Sequence, residues 1–300
     1  MKKHSDQGLA AGLALAFFGA IAFSGKAIIV KLAYRHGVDA VTLLMLRMLF
    51  ALPIFALMAW WASRGQAPLT RGDWIGVAGL GFSGYYLSSF LDFVGLQYVT
   101  ASLERLILYL NPTMVMLLGW LLYRRKIRTL HAVGMAVSYC GVLLVLGREL
   151  SFEGRQVAWG AFLVFASTIT YALYLVYSGE LVLRLGSLRL VGLATSVACV
   201  CCVAQFLLLR PLDAALTVAP AVIWLSVLNA VLCTALPVLM VMMAIERIGP
   251  ALAAQTGMVG PLSTIIMGAL ILDEPFTAWI AAGTALVIAG IYVFSRAGRA

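Results

Sequence analysis

The sequence predicts an all-α integral membrane protein: ten transmembrane helices built as two inverted five-helix repeats. Three observations lead there. Hydrophobic residues make up 63% of the 300-residue chain and charged residues 11%, with a mean hydropathy of +1.01. A soluble domain cannot keep that much apolar surface from water, so the bilayer is the solvent. Apolar runs recur along the whole chain in windows of about 20 residues, the length that crosses a bilayer as a helix. Finally, the stretch from Gly95 to Leu146 is written twice.

Leu103, Pro112, Gly119, Leu121, Ala132, Gly134, Ala136 and Gly141 find identical residues in Leu252, Pro261, Gly268, Leu270, Ala281, Gly283, Ala285 and Gly290. The frame is constant and needs no gap: Pro112 to Pro261 sets it at 149 residues, close to half the chain. Such self-similarity marks an internal duplication.

Taken in order, helices are predicted at 9–33, 41–61, 74–96, 102–123 and 129–147, then at 157–178, 188–209, 220–243, 250–272 and 276–295. Each window is bounded by charge and turn signals. Lys2 and Lys3 ahead of an apolar run imitate a signal peptide. The run continues past Ile28 and many more follow, so an uncleaved first helix is expected. The link Arg148–Gln156 is short and polar and divides the chain into halves 1–150 and 151–300, with no loop long enough to hold a soluble domain. Five helices per half is an odd number, so the second half enters the membrane from the opposite side. Inverted repeats of this kind typify secondary transporters, which hold substrate between the halves near the bilayer midplane.

The net charge of +9 raises the question of nucleic acid, but basic residues of membrane proteins gather in cytoplasmic segments. With the N-terminus inside, the inner segments carry about twice the Lys and Arg of the outer ones, led by RRKIR at 124–128. Both termini are therefore expected in the cytoplasm of a multi-pass protein of the cell inner (plasma) membrane, with the bilayer as partner and no nucleic acid. Cys140, Cys199, Cys201, Cys202 and Cys233 all lie in apolar runs and read as small packing residues, with neither disulfide nor metal spacing. AIAFSGKA at 20–27 imitates a phosphate loop but has Ala20 for the first Gly and Ala27 for the Ser or Thr, inside a membrane helix. The sequence has no HExxH, no GxSxG and no Cys or His cluster. No enzyme, catalytic residue, metal or cofactor is predicted, and the energy source is expected to be a gradient.

Against this background the residues resemble the EamA family of the drug/metabolite transporter superfamily. IVKLAYRHGVDAVTLLMLRMLFALP (29–53) is similar to that family's Lys closing helix one and Arg inside helix two, here Lys31 and Arg47. LQYVTASLERLILYLNPTMVMLLGWLL (96–122) and ERIGPALAAQTGMVGPLSTIIMGALILDEPFTAWIAAGTALVIAG (246–290) resemble its helix-four pattern in both halves, the second including the acidic Glu274. The likeness covers essentially the whole chain as two tandem units. It implies ten helices around a central cavity open alternately to each side, and it also suggests export and proton coupling. One departure stands out: where the family has Glu at the end of helix four, this chain has Arg125.

A charge at depth in hydrocarbon costs roughly 2.5–3.5 kcal/mol on insertion scales and needs a partner or water. Lys26, Arg47, Asp92, Glu104 and Arg105 qualify, and all lie in the first half toward its outer side; the corresponding helices of the second half are uncharged at depth. In the functional reading, Lys26 and Arg47 hold an anionic group such as a substrate carboxylate while Asp92 or Glu104 exchanges a proton. In the structural reading the same groups are an internal salt-bridge set: Lys26 or Arg47 to Asp92, and Glu104 to Arg105 or a neighbour. Acids near a helix end often reach the interface, which weighs against Glu104 as the proton carrier. Tyr85, Tyr86, Phe90, Tyr109, Tyr171 and Tyr174 lie too deep for the interfacial belt and read as cavity wall or satisfied core. Asn111, Asn229 and Gln255 read as interhelical hydrogen bonds or substrate contacts. Pro112 and Pro261, being duplicated, are the expected hinges.

The expected activity is secondary active transport of a small metabolite, an amino acid or related organic anion, by alternating access, with export as the direction. A multidrug or cationic-solute exporter would need Asp92 or Glu104 unpaired and facing the cavity. An integral-membrane enzyme on lipid-linked substrates would need clustered acidic, His or Cys residues at an interface. A non-transporting subunit would lose stability but no flux without Lys26 and Arg47. Because two fused halves already enclose a cavity, monomer and homodimer both satisfy the fold.

Overall fold

The computed structural model describes residues 2–124, 129–153 and 155–297. Among these the chain is helical and holds no strand. The first half comprises α1 (Lys2–Tyr34), α2 (Ala40–Ser63), α3 (Arg71–Leu80), a π-helical segment Gly81–Leu87, α4 (Ser88–Gly95), α5 (Ala101–Leu108), α6 (Asn111–Tyr123) and α7 (Thr129–Glu153). The second comprises α8 (Arg155–Leu185), α9 (Ser187–Leu209), the short α10 (Asp213–Leu216), α11 (Pro220–Ala230), a π-helical segment Val231–Ala235, α12 (Leu236–Thr256), a 3-10 turn Gly257–Val259, α13 (Gly260–Ile271) and α14 (Ala278–Ala297). Seven of the described helical spans are long and apolar enough to cross a membrane, and the shorter apolar helices Gly260–Ile271 and Ala278–Val293 stand beside them.

Capping chemistry sets several of these ends. Asp39 accepts from the backbone N–H groups of Val41 and Thr42 and so opens α2. Thr70 and Asp73 form a reciprocal capping box at α3, and Thr100 opens α5 by accepting from Leu103. Other predicted helices are not continuous. The one expected at 74–96 contains the π-helical segment 81–87, and the one at 220–243 contains the segment 231–235. The duplicated prolines sit at further interruptions: Pro112 lies in the first turn of α6 after a break at Tyr109–Leu110, and Pro261 in the first turn of α13 after the 3-10 turn. A proline lacks an N–H, and in the first turn of a helix none is missed.

The most extensive packing joins the halves: α1 lies on α12, α2 on α9, α4 on α8 and α7 on α14. Equivalent helices run antiparallel. Gly192 of α9 meets Ala59 of α2, while Cys199 meets Met48 further back. On α7 and α14 a Cβ at Gly141 would lie 2.6 Å from the Gly283 carbonyl oxygen, and one at Gly290 would lie 2.6 Å from that of Gly134. These four glycines are the duplicated ones, so the repeat in sequence is the reason the two backbones touch.

Several irregularities are repeated, although the link between α4 and α5 has no counterpart, since α12 runs unbroken through 245–249. Advanced by 149 residues, the segment 81–87 overlies 231–235, and the break at Tyr109–Leu110 falls on the 3-10 turn. Arg124 and Asp273, again equivalent, are the described non-glycine residues with positive φ, at 51° and 59°. The end of the bundle holding the α1–α2 and α4–α5 links is termed the upper face, and the end holding the α2–α3 link the lower face.

Candidate functional site: a buried ion cluster below an upper cleft

Five charges from α1, α2, α4 and α5 are buried inside the upper half of the bundle. Relative exposure is 8% for Lys26, 6% for Arg47, 2% for Asp92, 0% for Glu104 and 5% for Arg105. Glu104, though near a helix start, does not reach the interface. It lies one turn inside α5, its N–H bonded to the Thr100 carbonyl, and neighbouring helices cover it.

Lys26 takes both carboxylates. Its Nζ lies 2.5 Å from Asp92 Oδ2 and 3.3 Å from Glu104 Oε1. One ammonium thus serves two buried carboxylates that interact with each other. Asp92 Oδ1 and both Glu104 oxygens have no further hydrogen-bond partner among the described residues. With one ammonium for two carboxylates, the trio carries one net negative charge in a low-dielectric interior.

The two arginines are held differently. Arg47 donates from Nε to Thr234 Oγ1 at 3.2 Å, and its guanidinium lies 5.1 Å from the Phe93 ring centroid. Its Nη1 is buried without a partner among the described residues. Arg105 donates from Nε to Thr264 Oγ1 at 3.0 Å and from Nη2 to the Phe23 carbonyl at 3.2 Å. Among the described residues neither guanidinium has a carboxylate within ion-pair distance. Three buried cations therefore face two carboxylates. The proposed pairing of Arg47 with Asp92, or of Glu104 with Arg105, gives way to a single Lys26-centred trio. The second half, expected to be a mostly apolar wall, meets the arginines with hydroxyls: Thr234 from a π-helical segment and Thr264 from α13.

The aromatic group forms its own layer. Tyr85 and Tyr174 hydroxyls are 3.2 Å apart with rings edge to face, and Tyr171 stacks on Tyr174 at 5.5 Å. Tyr86 stacks on Phe90 at 6.5 Å. Tyr109 crosses between halves, its hydroxyl donating to the Gly257 carbonyl at 2.9 Å. Asn229 is buried with Oδ1 unpartnered among the described residues, while its carbonyl accepts from Thr234, the hydroxyl that also receives Arg47. Asn111 likewise keeps Oδ1 buried and unpartnered. The side chain of Gln255, and all of Arg125, lie outside the described residues.

Above the trio is a cleft of about 740 Å³ lined by charged groups of both signs, among them Lys31, Arg35, Asp39, Asp273 and Glu274. Tyr34, also on its wall, donates to the Phe93 carbonyl at 2.7 Å, one residue from Asp92. At its margin Arg35 donates to the Leu272 carbonyl at 2.6 Å, joining α1 to the end of α13. Arg210 donates to Asp39 at 3.2 Å. At the lower face Asp73 pairs with Arg184, and Arg189 donates to Ser63 Oγ and the Ala67 carbonyl. Sequence reasoning missed Thr234 and Thr264; the available signal was a hydroxyl in an apolar helix at the depth of an arginine.

Comparison with known proteins agrees with this architecture. The model of the EamA-like transporter family matches twice, over residues 10–147 and 158–296. The chain belongs to the EamA-like transporter family. It is 33% identical over 277 residues to the uncharacterized transporter YcbK of Bacillus subtilis, covering 88% of this chain and 86% of that one. An uncharacterized transporter of Archaeoglobus fulgidus is 24% identical over 274 residues, with 90% and 92% covered. A solved crystal structure of a protein, 18% identical, superposes with a TM-score of 0.64 over 97% of this chain and 98% of its own, a likeness of fold alone.

Proposed function

We propose that this membrane protein is a secondary active transporter that exports a small metabolite anion, such as an amino acid or related organic acid, by alternating access. Halves 1–150 and 151–300 act as two five-span units, ten spans in all. The lower face and both termini lie in the cytoplasm and the upper cleft opens outward from the inner membrane. A single chain encloses the path, so monomer and homodimer are equally workable assemblies.

The observation that carries this reading is the charge balance at depth. Lys26 is occupied by Asp92 and Glu104, while Arg47 and Arg105 have neutral partners only, leaving one positive charge in a low-dielectric interior. An anionic solute held at Arg47 Nη1 neutralises it, and the tyrosine layer offers the rest of the solute an amphipathic wall. Glu104 supplies the coupling: a proton on it releases Lys26 to Asp92 alone, and its departure restores the trio. Pairing of both acids with Lys26 counts against the cationic-solute reading, which requires a free carboxylate.

The test is the melting temperature of the purified protein against carboxylates, nucleosides and cationic drugs. A ligand at a hundred times its Kd stabilises the folded state by roughly 2.7 kcal/mol. Carboxylates are expected to raise the melting temperature of wild type and not of Arg47→Gln. A shift from cations alone overturns the reading.

A further inference from the structure

The two faces of the bundle are built from equivalent parts, and one of those parts is missing from one face. At the upper face Glu274, in the loop after α13, reaches across to the other half and caps the start of α5. Its Oε1 accepts from Ala101 N–H at 2.7 Å, and its Oε2 accepts from Ser102 N–H at 3.3 Å and Ser102 Oγ at 3.0 Å. The first N–H groups of a helix have no partner within it, and the helix dipole favours an anion there. A carboxylate brought from another element turns that need into a clasp between the halves.

The clasp is preorganised. Asp273, at φ 59°, makes the left-handed turn that ends α13, and Glu274 N–H bonds back to the Gly268 carbonyl at 3.1 Å. The carboxylate lies against Gly268: a Cβ there would stand 3.0 Å from Oε2. It also sits over the site, since Glu104 follows one turn below Thr100 on the clasped helix.

The internal repeat puts the equivalent clasp at the lower face. Its turn is present: Arg124, equivalent to Asp273, has φ 51° and its N–H returns to the carbonyl of Gly119, the equivalent of Gly268. The chemistry is not. The residue that follows is Arg125 where the upper face has Glu274, Pro250 stands for Ala101 and has no N–H, and Ala251 stands for Ser102 and has no hydroxyl. Acceptor, hydroxyl and free helix start are gone together, since α12 runs unbroken through 250 and 251.

We propose that Glu274 is a one-sided latch, which holds the transporter closed at the upper face and biases its resting state toward opening at the lower. The inference rests on the alternating-access reading above and adds the direction in which the empty carrier waits. Loading from the lower face then precedes release of the latch, as an exporter with a cytoplasmic lower face requires.

The test is a distance measurement between spin labels at Gln97 and Thr277, on either side of the upper opening. The five native cysteines are first replaced, and the protein is held in lipid nanodiscs. Wild type is expected to give one short distance. Glu274→Gln is expected to raise the ratio of the longer, open distance to the short one about tenfold, equivalent to ~1.4 kcal/mol. Ser102→Ala, which removes one of the three donors and leaves Glu274 in place, is expected to raise the same ratio to a lesser extent. It also decides the matter if Glu274→Gln fails to fold. An unchanged distribution in folded Glu274→Gln, or in Ser102→Ala, overturns the latch. Failure of the transporter reading itself shows separately, as wild-type proteoliposomes without exchange of any solute that shifts the melting temperature.

Discussion

Ser138 Oγ donates to the carbonyl of Val287 at 3.5 Å, and the two residues are 149 apart, the same place in each half. A contact between equivalent residues lies on a pseudo-two-fold axis. The axis passes between α7 and α14, and the glycine pairs on either side exchange across it. Close helix approach matters here because in lipid the association rests on packing and interhelical hydrogen bonds, without a hydrophobic drive.

Substitution at this crossing is therefore predicted to cost stability. A Cβ on Gly290 would stand 2.2 Å from Ser138 Oγ, with the Gly134 carbonyl oxygen at 2.6 Å. Gly290→Val should destabilise by about 1–3 kcal/mol, the usual range for overpacking. Gly147→Ala on the same α7, where nothing lies within 4 Å, should stay within about 0.5 kcal/mol of wild type. Thermal unfolding in one detergent compares the two.

The Lys26 trio separates structure from transport. Lys26→Ala leaves two buried carboxylates without their cation and should cost about 3–5 kcal/mol. Replacing the set together, as Lys26→Met with Asp92→Asn and Glu104→Gln, removes the charges and should recover most of that stability. It should not recover pH-dependent flux in proteoliposomes. Recovery of both would make the trio a fastening only.

Thr234→Val tests the support of Arg47. Without Oγ1 the Arg47 Nε–H joins Nη1 as a buried donor lacking a partner, a loss of about 1–3 kcal/mol. Carboxylate titrations followed by melting temperature should show weakened binding beyond that loss, because the guanidinium is no longer aimed. Unaltered affinity would place the anion elsewhere.

A pH effect is expected at the upper face, outside the membrane-spanning segments. Burial pushes the Asp39 carboxyl up, but hydrogen bonds from the Thr42 side chain and backbone and from Arg210 outweigh it and hold the carboxyl below its usual value. A carboxylate with a lowered folded-state pKa stabilises above its unfolded pKa of about 3.9, and that contribution vanishes as pH falls through the folded value. The melting-temperature gap between wild type and Asp39→Asn should therefore be constant at neutral pH and close below about pH 4. A gap that persists in acid would assign it to packing.

How much of this was legible beforehand depends on the residue. Gly134, Gly141, Gly283 and Gly290 announced the duplication because identical spacing is a one-dimensional signal, but not that α7 and α14 would touch at them. The five buried charges were legible for the same reason, as rare types in apolar windows. Their pairing was legible only in part: Lys26 with Asp92 stood among the expected pairs, and Lys26 with Glu104 did not. Lys26 meets Glu104 only because α5 is drawn in under α1, and Glu104 is dry because elements from both halves cover the start of its helix. Glu274 was expected to act at a helix end, but the helix it caps is not its own. The interruptions at 81–87 and 231–235 left no signature, since a π-turn breaks no hydrophobic run and requires no proline.

Those two interruptions carry a date. A π-turn closes its hydrogen bond one residue further along than an α-turn, so each marks a helix with one residue more than its regular length needs. Both helices carry the surplus in the same register, and the gapless frame of the sequence agrees with it. The shared register is what one half-length unit, doubled with its extra residue already in place, would leave behind. Such a unit could form the antiparallel contacts now made within one chain only by meeting an inverted copy of itself in the membrane.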